Sequence, residues 1–391
     1  MSLFSRLQKE IDEWNADNSV RSLTSINSSQ SARVRINGRD VIQLSSNNYL
    51  DLTNHPKLKQ ASIKAINDWG VGTGSVRTIA GNFTLHDKYE ERLADFKKTE
   101  AALVFQSGFT ANVGVLTSIL TKDDVVISDE LNHASIIDGI RLTKAGRRIY
   151  NHSDMNDLEL ALQESTPADM RLVVTDGVFS MDGDIARLPE IVKLANRYNA
   201  IVMVDDAHAS GVLGENGRGT IDYFSLHGQV PIQVGTLSKA IGVLGGYVAG
   251  PQVLIDYLIQ RARPLLFSTS HPPAVVAACN AALDVLLEEP HLIDKLWDNT
   301  RFFKNSLNEL GFDTGISNTP ITPIILGDNS VAGQFSDLLL EAGVSAQAIG
   351  FPTVAEGRAR VRTIVSTAHS KQDLEFCLQA FEQIGRKLGV I

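Results

Sequence analysis

The chain has 391 residues, a length that favours two domains sharing one extended core. Hydrophobic residues make up 43% and charged residues 21%, which is an ordinary globular composition. The net charge of −9 excludes the broad basic field with which nucleic-acid-binding proteins collect phosphates, although it leaves room for a local basic pocket.

Cysteine content and hydropathy restrict where the protein acts. Cys279 and Cys377 are its two cysteines, too few for a disulfide framework or a cysteine zinc site, and this fits a reducing cytoplasm. The N-terminal residues lead into charged positions rather than into an apolar signal core. No apolar run reaches the roughly 18 residues that span a membrane. We therefore expect a cytoplasmic protein with no membrane and no nucleic-acid partner.

The predicted elements begin with a helix and a hairpin. Residues 3–16 carry an apolar stripe at helical spacing. Runs 34–36 and 41–44 flank Asn37-Gly38, a pair typical of a tight hairpin turn. We assign residues 1–50 to this N-terminal segment.

Short apolar runs and amphipathic helices then alternate over residues 51–270. The runs lie at residues 102–105, 125–127, 172–174, 201–204 and 232–234, and the helix at 188–198 shows the amphipathic pattern well. Because the runs are apolar on both faces, they predict a mainly parallel, doubly wound sheet in a large domain.

Residues 271–391 show a different order of elements. Helical patterns near 272–288 and 290–310 precede strand-like residues 321–326 and 360–364, which alternate with helices near 330–342 and 371–387. This order predicts a smaller C-terminal α+β domain.

Two carboxylates and an imidazole follow the run 201–204, as Asp205-Asp206-Ala207-His208. Ligands of α/β proteins bind at the carboxyl ends of parallel strands, so three interpretations stay open at this point. The cluster could bind a metal ion, have a structural role, or hold the cationic nitrogen of a ring.

A lysine follows the next run, in Gly235-Thr236-Leu237-Ser238-Lys239. A lone lysine is usually a solvated surface charge. One that lies at a strand end among small residues can instead form a Schiff base if its pKa is lowered.

Three further segments are ambiguous by themselves. The segment 106–110 precedes a helix whose N-terminal amides can bind phosphate, although a plain strand–helix turn explains it equally well. His133 also follows a strand, and alone it favours a helix start over a catalytic role. The glycine-rich segment 70–75 follows a helix, whereas a Rossmann loop must follow a strand.

Taken in order, these motifs resemble those of the α-oxoamine synthases, a family of fold-type-I pyridoxal-phosphate (PLP) enzymes. The specific set is Asp-Gly-Val-Phe-Ser-Met-Asp-Gly at 176–183 with the motifs at 205–208 and 235–239. The likeness extends from 44–50 to 360–362. It implies an α/β fold-type-I PLP transferase, whose large domain has a mainly parallel seven-stranded sheet and whose smaller C-terminal domain is α+β. PLP is the implied cofactor, held as an aldimine on Lys239.

The resemblance also implies roles around the cofactor. Lys239 becomes the base that removes a proton from the substrate, Asp205 pairs with the pyridine nitrogen, and His133 stacks on the ring. The remaining implied contacts are His208 and Ser180 at the phenolic oxygen, Thr236 with the amides of Gly108 and Phe109 at the phosphate, and Thr269 and Ser270 donated to that phosphate by a second subunit. The last pair implies a homodimer with active sites at its interface.

On the substrate side, Arg362 resembles the arginine that clamps the substrate carboxylate. Arg360 lies two residues away on the same face of the strand, so the assignment could slip by two. Asn47 resembles a substrate-side residue, as Arg21 does more weakly. The charged segment 356–358 departs from the family pattern and leaves the acyl end of the pocket open.

Within the family, segments 75–77 and 263–268 resemble the members that condense glycine with acetyl-CoA, the glycine C-acetyltransferases of threonine degradation. We therefore predict glycine and an acyl-CoA as substrates, with 2-amino-3-oxobutanoate and CoA as products. The alternative is condensation of alanine with a pimeloyl thioester, as in the 8-amino-7-oxononanoate synthases of biotin biosynthesis. Other classes that remain are a metal-dependent hydrolase and a non-catalytic nucleotide-binding module. No metal is expected in the favoured class.

Overall fold

The structure is a computed structural model that describes residues 2–16 and 23–391. Its helices are α1 (Leu3–Ala16), α2 (Pro56–Trp69), α3 (Thr84–Lys97), α4 (Gly108–Ile119), α5 (Ala134–Arg141), α6 (Met155–Glu164), α7 (Leu188–Arg197), α8 (Thr220–Tyr223), α9 (Gln252–Arg261), α10 (Arg263–Leu266), α11 (Pro273–Glu288), α12 (His291–Glu309), α13 (Asn329–Glu341) and α14 (Lys371–Lys387). In the described part of the chain, no helix combines the length and apolar character needed to cross a bilayer.

The strands form three sheets. They are β1 (Arg33–Ile36), β2 (Arg39–Gln43), β3 (Ala101–Phe105), β4 (Val125–Asp129), β5 (Gly146–Tyr150), β6 (Arg171–Asp176), β7 (Ile201–Asp205), β8 (Ile232–Thr236), β9 (Gly246–Gly250), β10 (Ile321–Gly327), β11 (Val344–Ser345), β12 (Gln347–Ile349) and β13 (Ala359–Ile364). The two smaller sheets have the orders β1-β2-β11 and β10-β13-β12.

The large sheet has seven strands in the order β3-β9-β8-β7-β6-β4-β5. The pairs β5–β4, β4–β6, β6–β7 and β7–β8 are parallel, whereas β9 is antiparallel to both of its neighbours. The predicted mainly parallel sheet is confirmed, and its five predicted strands are β3, β4, β6, β7 and β8. Strands β5 and β9 were not predicted.

Both faces of this sheet are covered, which is why its central strands are apolar on both sides. Leu172 and Val174 of β6 face one core with α4, α5 and α9. Val173, between them, faces the opposite core with α6 and α7, and helices α2, α3 and α11 cover the rest of that side. The result is a three-layer arrangement in which the carboxyl ends of β6, β7 and β8 lie side by side.

The hairpin and the C-terminal elements share a third core. Ile42 of β2 packs with Phe303, Phe335 and Phe381 from α12, α13 and α14, and β2 pairs in parallel with β11. The hairpin turns at Asn37-Gly38, where both residues have positive φ, as the sequence predicts. Helix α11, although it lies beyond residue 270, packs on α2 and α3 of the large sheet. We keep the division at residues 50 and 270 as a proposal.

Candidate active site

A cavity of about 200 Å³ lies at the carboxyl edge of the large sheet. Its walls come from the ends of β6, β7 and β8 and from the first turns of α4 and α5, so distant segments of the chain meet there. The lining residues are Ser107, Gly108, Phe109, His133, Ser135, Asp176, Val178, Asp205, Ala207, His208, Thr236, Ser238 and Lys239. Seven of the predicted site residues are in this set.

Asp205 ends β7 at the floor of the cavity and is 4% exposed. Asn112 donates to its Oδ2 over 2.6 Å, and the backbone N–H of Ala207 donates to Oδ1 over 2.9 Å. Asp176 lies opposite on β6. Burial, followed by the charge of Asp205, raises the pKa of Asp176 well above its ordinary value.

Lys239 follows β8 in a tight loop. The backbone N–H of Gly242 donates to the Lys239 carbonyl over 2.9 Å. Gly242 has a φ of +75°, and a Cβ at this position would lie 2.8 Å from the backbone nitrogen of Thr53, so a side chain would not fit there. Burial lowers the pKa of Lys239 to about 8 although Asp205 and Asp176 oppose the shift. A lysine with this pKa has a sizeable fraction of free amine near neutral pH and can act as a nucleophile or a base.

Two histidines face the cavity in different settings. His133 begins α5, and its Nδ1 accepts a hydrogen bond from the backbone N–H of Ser135 over 3.2 Å. Burial lowers the pKa of His133, and the Lys239 cation lowers it further against the opposing effect of Asp205. His208 is buried, and its Nδ1 lies 2.8 Å from the hydroxyl of Tyr49.

An anion site lies where α4 begins. Ser107 and Thr110 cap the helix through reciprocal hydrogen bonds of 3.1 and 2.9 Å. The backbone amides of Gly108 and Phe109 are first-turn groups that an intrahelical bond cannot satisfy, and they lie beside Thr236. Amides at a helix N-terminus, together with hydroxyls, suit a phosphate group.

The two candidate arginines of β13 differ in how they are bonded. Arg360 is 2% exposed and donates to Asp182 Oδ1 over 2.7 Å and to the Met181 carbonyl over 2.9 Å. Arg362 is half-buried and donates to the Ser180 carbonyl over 3.0 Å. Both therefore hold the 176–183 segment, and Arg362 keeps more of its guanidinium for a ligand.

The other predicted residues are spread more widely. Asn47 is half-buried, with no hydrogen-bond partner for its buried Oδ1 in the described part of the chain. Thr269 is exposed, whereas Ser270 is buried and its hydroxyl bonds to Thr73 and the Gly81 carbonyl within the same chain. Neither of this pair lines the cavity. Arg21 lies outside the described residues, and its role stays a prediction.

Asp206 points away from its neighbour Asp205 and has a structural role. It is fully buried and pairs with the Lys97 ammonium at 3.2 Å, while Thr220 donates to it through its hydroxyl and its backbone N–H. A metal ion bound by the 205–208 cluster would therefore lack Asp206 as a ligand.

The sequence did not predict five residues of the site, namely Tyr49, Asn112, Ser135, Asp176 and Ser238.

These residues fit PLP. Lys239 offers an amine of lowered pKa for the aldehyde, and Asp205 offers a buried carboxylate for the ring nitrogen. The backbone amides of Gly108 and Phe109 offer hydrogen-bond donors for the phosphate. The three chemical groups that PLP needs thus line one cavity of suitable polarity.

Comparison with known proteins gives the same class. The aminotransferase class I and II family matches residues 39–381. The 8-amino-7-oxononanoate synthase of Exiguobacterium sibiricum is 61% identical over 388 residues, covering 99% of this chain and 100% of that protein. The Bacillus subtilis 8-amino-7-oxononanoate synthase 1 is 60% identical, covering 99% of each chain. A solved serine palmitoyltransferase from S. paucimobilis with bound PLP–myriocin has a TM-score of 0.96 over 100% of both chains, at 32% identity.

The fold and the site define a fold-type-I PLP transferase. The chain belongs to the aminotransferase class I and II family and, within it, to the PLP-dependent C-acyltransferases called α-oxoamine synthases. PLP is its cofactor, and the family resemblance noted in the sequence is confirmed. The narrower predictions of a glycine C-acetyltransferase and of threonine degradation are not supported, because relatives at about 60% identity bear the name of the alternative.

Proposed function

We propose that the enzyme condenses alanine with a pimeloyl thioester to give 8-amino-7-oxononanoate, carbon dioxide and the free thiol. The observation that carries this proposal is the name shared by relatives that are 57–61% identical over nearly the whole chain. In the reaction a carbon–carbon bond forms between the alanine α-carbon and the thioester carbonyl. The carbon–sulfur bond and the bond to the alanine carboxylate break.

Lys239 is the proposed partner of the cofactor aldehyde and the proposed base. When bound, PLP supplies an electron-withdrawing ring that stabilises negative charge at the amino-acid α-carbon. The Lys239 amine, with a pKa of about 8, then takes up the α-proton. A base whose pKa lies near the working pH is the most effective for such a transfer.

The cavity floor is proposed to bind the cofactor ring. Asp205, which accepts hydrogen bonds from Asn112 and from the N–H of Ala207, would pair with the ring nitrogen. His133 would stack on the ring, and His208 with Ser180 would bond the phenolic oxygen.

The phosphate is proposed to lie on the amides of Gly108 and Phe109 and the hydroxyl of Thr236. Thr269 and Ser270 from a second copy of the chain complete the phosphate site, which makes the enzyme a homodimer. The side chain of Thr269 is exposed and therefore available to a second subunit. Ser270 supports the dimer less, because its hydroxyl is bonded within its own chain.

The dimer proposal also has support from apolar surface next to the phosphate site. Phe109 is 44% exposed, Ile79 is 81% exposed and Phe267 is 71% exposed. These residues lie on α4, on the π-helical turn Arg77–Gly81 and directly after α10, and α10 contacts both of the other elements. Large apolar side chains grouped in this way favour a protein interface.

The amino-acid carboxylate is proposed to bind Arg362, since a guanidinium fork matches a planar anion. The buried Oδ1 of Asn47, which has no hydrogen-bond partner among the described residues, is proposed as a further substrate contact. Small molecules, an amino acid and an acyl thioester, are thus the expected partners.

The test compares kcat/KM for alanine with pimeloyl-CoA against glycine with acetyl-CoA, following release of the free thiol. We expect the first pair to exceed the second by at least about tenfold. One misplaced methylene in an apolar pocket costs about 1–3 kcal/mol, which corresponds to a tenfold or larger effect on the rate. Labelled carboxyl-carbon alanine must release carbon dioxide in step with the thiol. Heptanoyl-CoA, which lacks the terminal carboxylate, tests whether that charge is recognised. A tenfold advantage for glycine with acetyl-CoA would overturn the proposal.

A further inference from the structure

One amide group connects two elements of the site. Asn112 lies on α4, where its Nδ2 is 2.6 Å from Asp205 Oδ2 and 2.9 Å from Ser135 Oγ. All three residues are at most 4% exposed. The two hydrogens of a single NH2 group therefore go to two acceptors, one on β7 and one on α5.

The orientation of this amide is fixed by its partners. If the amide were turned around, its carbonyl oxygen would face the Asp205 carboxylate, and two acceptors would repel each other. In the observed orientation, Asn112 Oδ1 is buried without a hydrogen-bond partner among the described residues. Buried polar atoms are rarely left unpaired. Asn112 keeps this orientation because its two N–H contacts outweigh the cost of the unpaired oxygen.

The hydrogen bond from Asn112 to Ser135 also determines how Ser135 bonds to His133. Ser135 Oγ accepts from Asn112, so the hydroxyl hydrogen is free to donate to His133 Nδ1, which lies 2.7 Å away. The backbone N–H of Ser135 points at the same nitrogen over 3.2 Å. A ring nitrogen that accepts from two donors carries no proton of its own, and the proton of the neutral ring must then be on Nε2.

We infer that Asn112 and Ser135 are positioning residues that connect Asp205 to His133 and hold the His133 ring as the neutral tautomer with its proton on Nε2. The inference rests on the proposed roles of Asp205 and His133 toward the cofactor. In this arrangement His133 stays neutral. His133 does not compete for the Asp205 carboxylate, which stays available to the cofactor's ring nitrogen.

The surroundings of His133 agree with a neutral ring. Lys239, on the loop after β8, opposes a second positive charge, whereas Asp205 on β7 favours one. Asp176 on β6 accepts from the backbone N–H of His133, and burial raises the pKa of this carboxyl well above its ordinary value. His208 is a further neutral group close by. Asn112 engages Asp205 Oδ2 and the Ser135 hydroxyl, and Ser135 supplies both donors to Nδ1, which favours the neutral ring.

The experiment uses the full-length chain labelled with ¹⁵N-histidine, with and without PLP. His133 signals are assigned by their loss in His133→Gln. In the wild type we expect an unprotonated Nδ1 and a protonated Nε2 across neutral pH. Ser135→Ala leaves Nδ1 with the longer backbone contact alone, and Asn112→Ala frees the Ser135 hydroxyl to turn away from Nδ1. Both variants should therefore populate the other tautomer and raise the apparent pKa of His133, whereas Ser135→Thr, which keeps the hydroxyl, should restore the wild-type pattern.

A second readout guards against a mere loss of folding. The PLP dissociation constant, measured by fluorescence quenching, should rise about tenfold in Asn112→Ala, because a charge-assisted bond to Asp205 is lost. The matched control is Ser118→Ala on the same helix, where the hydroxyl donates to the Gly114 carbonyl, and it should change neither readout. An unchanged His133 tautomer in both Ser135→Ala and Asn112→Ala overturns the inference. A tenfold advantage of glycine with acetyl-CoA over alanine with pimeloyl-CoA would instead overturn the proposed function and leave the tautomer result standing.

Discussion

The hydroxyl of Tyr49 lies 2.8 Å from Nδ1 of His208, and both side chains are buried. Burial raises the pKa of Tyr49 and lowers the pKa of His208 well below its ordinary value. Near neutral pH the phenol is therefore protonated and the imidazole is uncharged. When the phenol donates to Nδ1, Nε2 is the protonated nitrogen that can donate to a ligand in the cavity.

Tyr49→Phe should therefore weaken the site without unfolding it. One hydrogen bond of about 1 kcal/mol is lost, and the His208 ring becomes free to change tautomer. We expect a several-fold rise in the PLP dissociation constant and about a tenfold fall in kcat/KM, with little change in melting temperature. Tyr198→Phe, which removes a hydroxyl bonded to Glu159 and Gln163 far from the cavity, is the control. Equal effects of the two substitutions would contradict the assigned role.

Lys239→Ala should keep noncovalent PLP binding but lower turnover by several orders of magnitude, because the same amine serves as aldehyde partner and as base. The measurement is borohydride reduction followed by mass analysis, together with single-turnover rates. Lys304 provides an internal control. Burial also lowers its pKa to about 8, yet it lies outside the cavity and donates to Ser317 and the Thr319 carbonyl. A trapped adduct that persists in Lys239→Ala would mean that another lysine binds the cofactor.

Neighbouring acids should respond differently to the same substitution. Asp205→Asn removes the charge that keeps the ring nitrogen protonated, so we expect kcat to fall at least a hundredfold with the melting temperature nearly unchanged. Asp206→Asn leaves Lys97 as a buried cation without its ion-pair partner, which costs about 3–5 kcal/mol of stability. Denaturant unfolding and steady-state rates on both variants check the contrast. A large kcat loss with full stability in Asp206→Asn would reverse the two roles.

The positions of Asp205 and Lys239 could be predicted from the sequence because each directly follows an apolar strand. Strand ends in a parallel sheet gather at one edge, so order along the chain is enough to place them together. Strands β5 and β9 were missed for local reasons. Four of the five residues of β5 are exposed on the sheet edge, and β9 begins and ends with glycine. Neither shows the apolar run that marks a buried strand.

The residues that support the site could not be predicted in this way. Asn112 reaches Asp205 across 93 positions, and Tyr49 reaches His208 across 159 positions. Such contacts depend on how helices pack on the sheet, and the periodicity of either segment carries no information about them. Asp176 was visible within the 176–183 motif, but its register opposite Asp205 appears only once β6 pairs with β7.

The stability of the 176–183 segment should depend on pH through His152. Its Nδ1 lies 2.9 Å from Asp129 and its Nε2 lies 3.0 Å from Asp184, and its ring packs edge-on against Phe179. Burial opposes the charge, but the two carboxylates raise the pKa of His152 to about 10.

A histidine whose pKa is raised in the folded state stabilises the fold fully below its unfolded pKa of about 6.5 and loses this contribution as the pH rises through the folded value. The difference in melting temperature between wild type and His152→Gln should therefore be largest near pH 6 and shrink towards pH 10. His227→Gln, which removes a side-chain hydrogen bond to Asp222, serves as the comparison. A difference that grows with pH would show that His152 is neutral in the folded protein.

Substitution of the two arginines of β13 should affect different properties of the enzyme. Arg360 is 2% exposed and bonded to Asp182, so Arg360→Gln should lower the melting temperature and leave the KM for the amino acid nearly unchanged. Within the described residues, Arg362 donates one hydrogen bond, to the Ser180 carbonyl, and burial lowers its pKa, which leaves a desolvated cation for the substrate carboxylate. Arg362→Gln should raise that KM about a hundredfold, in line with the loss of a charge-assisted bidentate contact of about 2–3 kcal/mol, and should change the KM for the thioester much less. Arg362→Lys should recover part of the loss, because the charge returns without the fork. Steady-state kinetics with both substrates varied and thermal melts on all three variants provide the measurement. A large amino-acid KM effect in Arg360→Gln with a normal melt would move the carboxylate site by two residues.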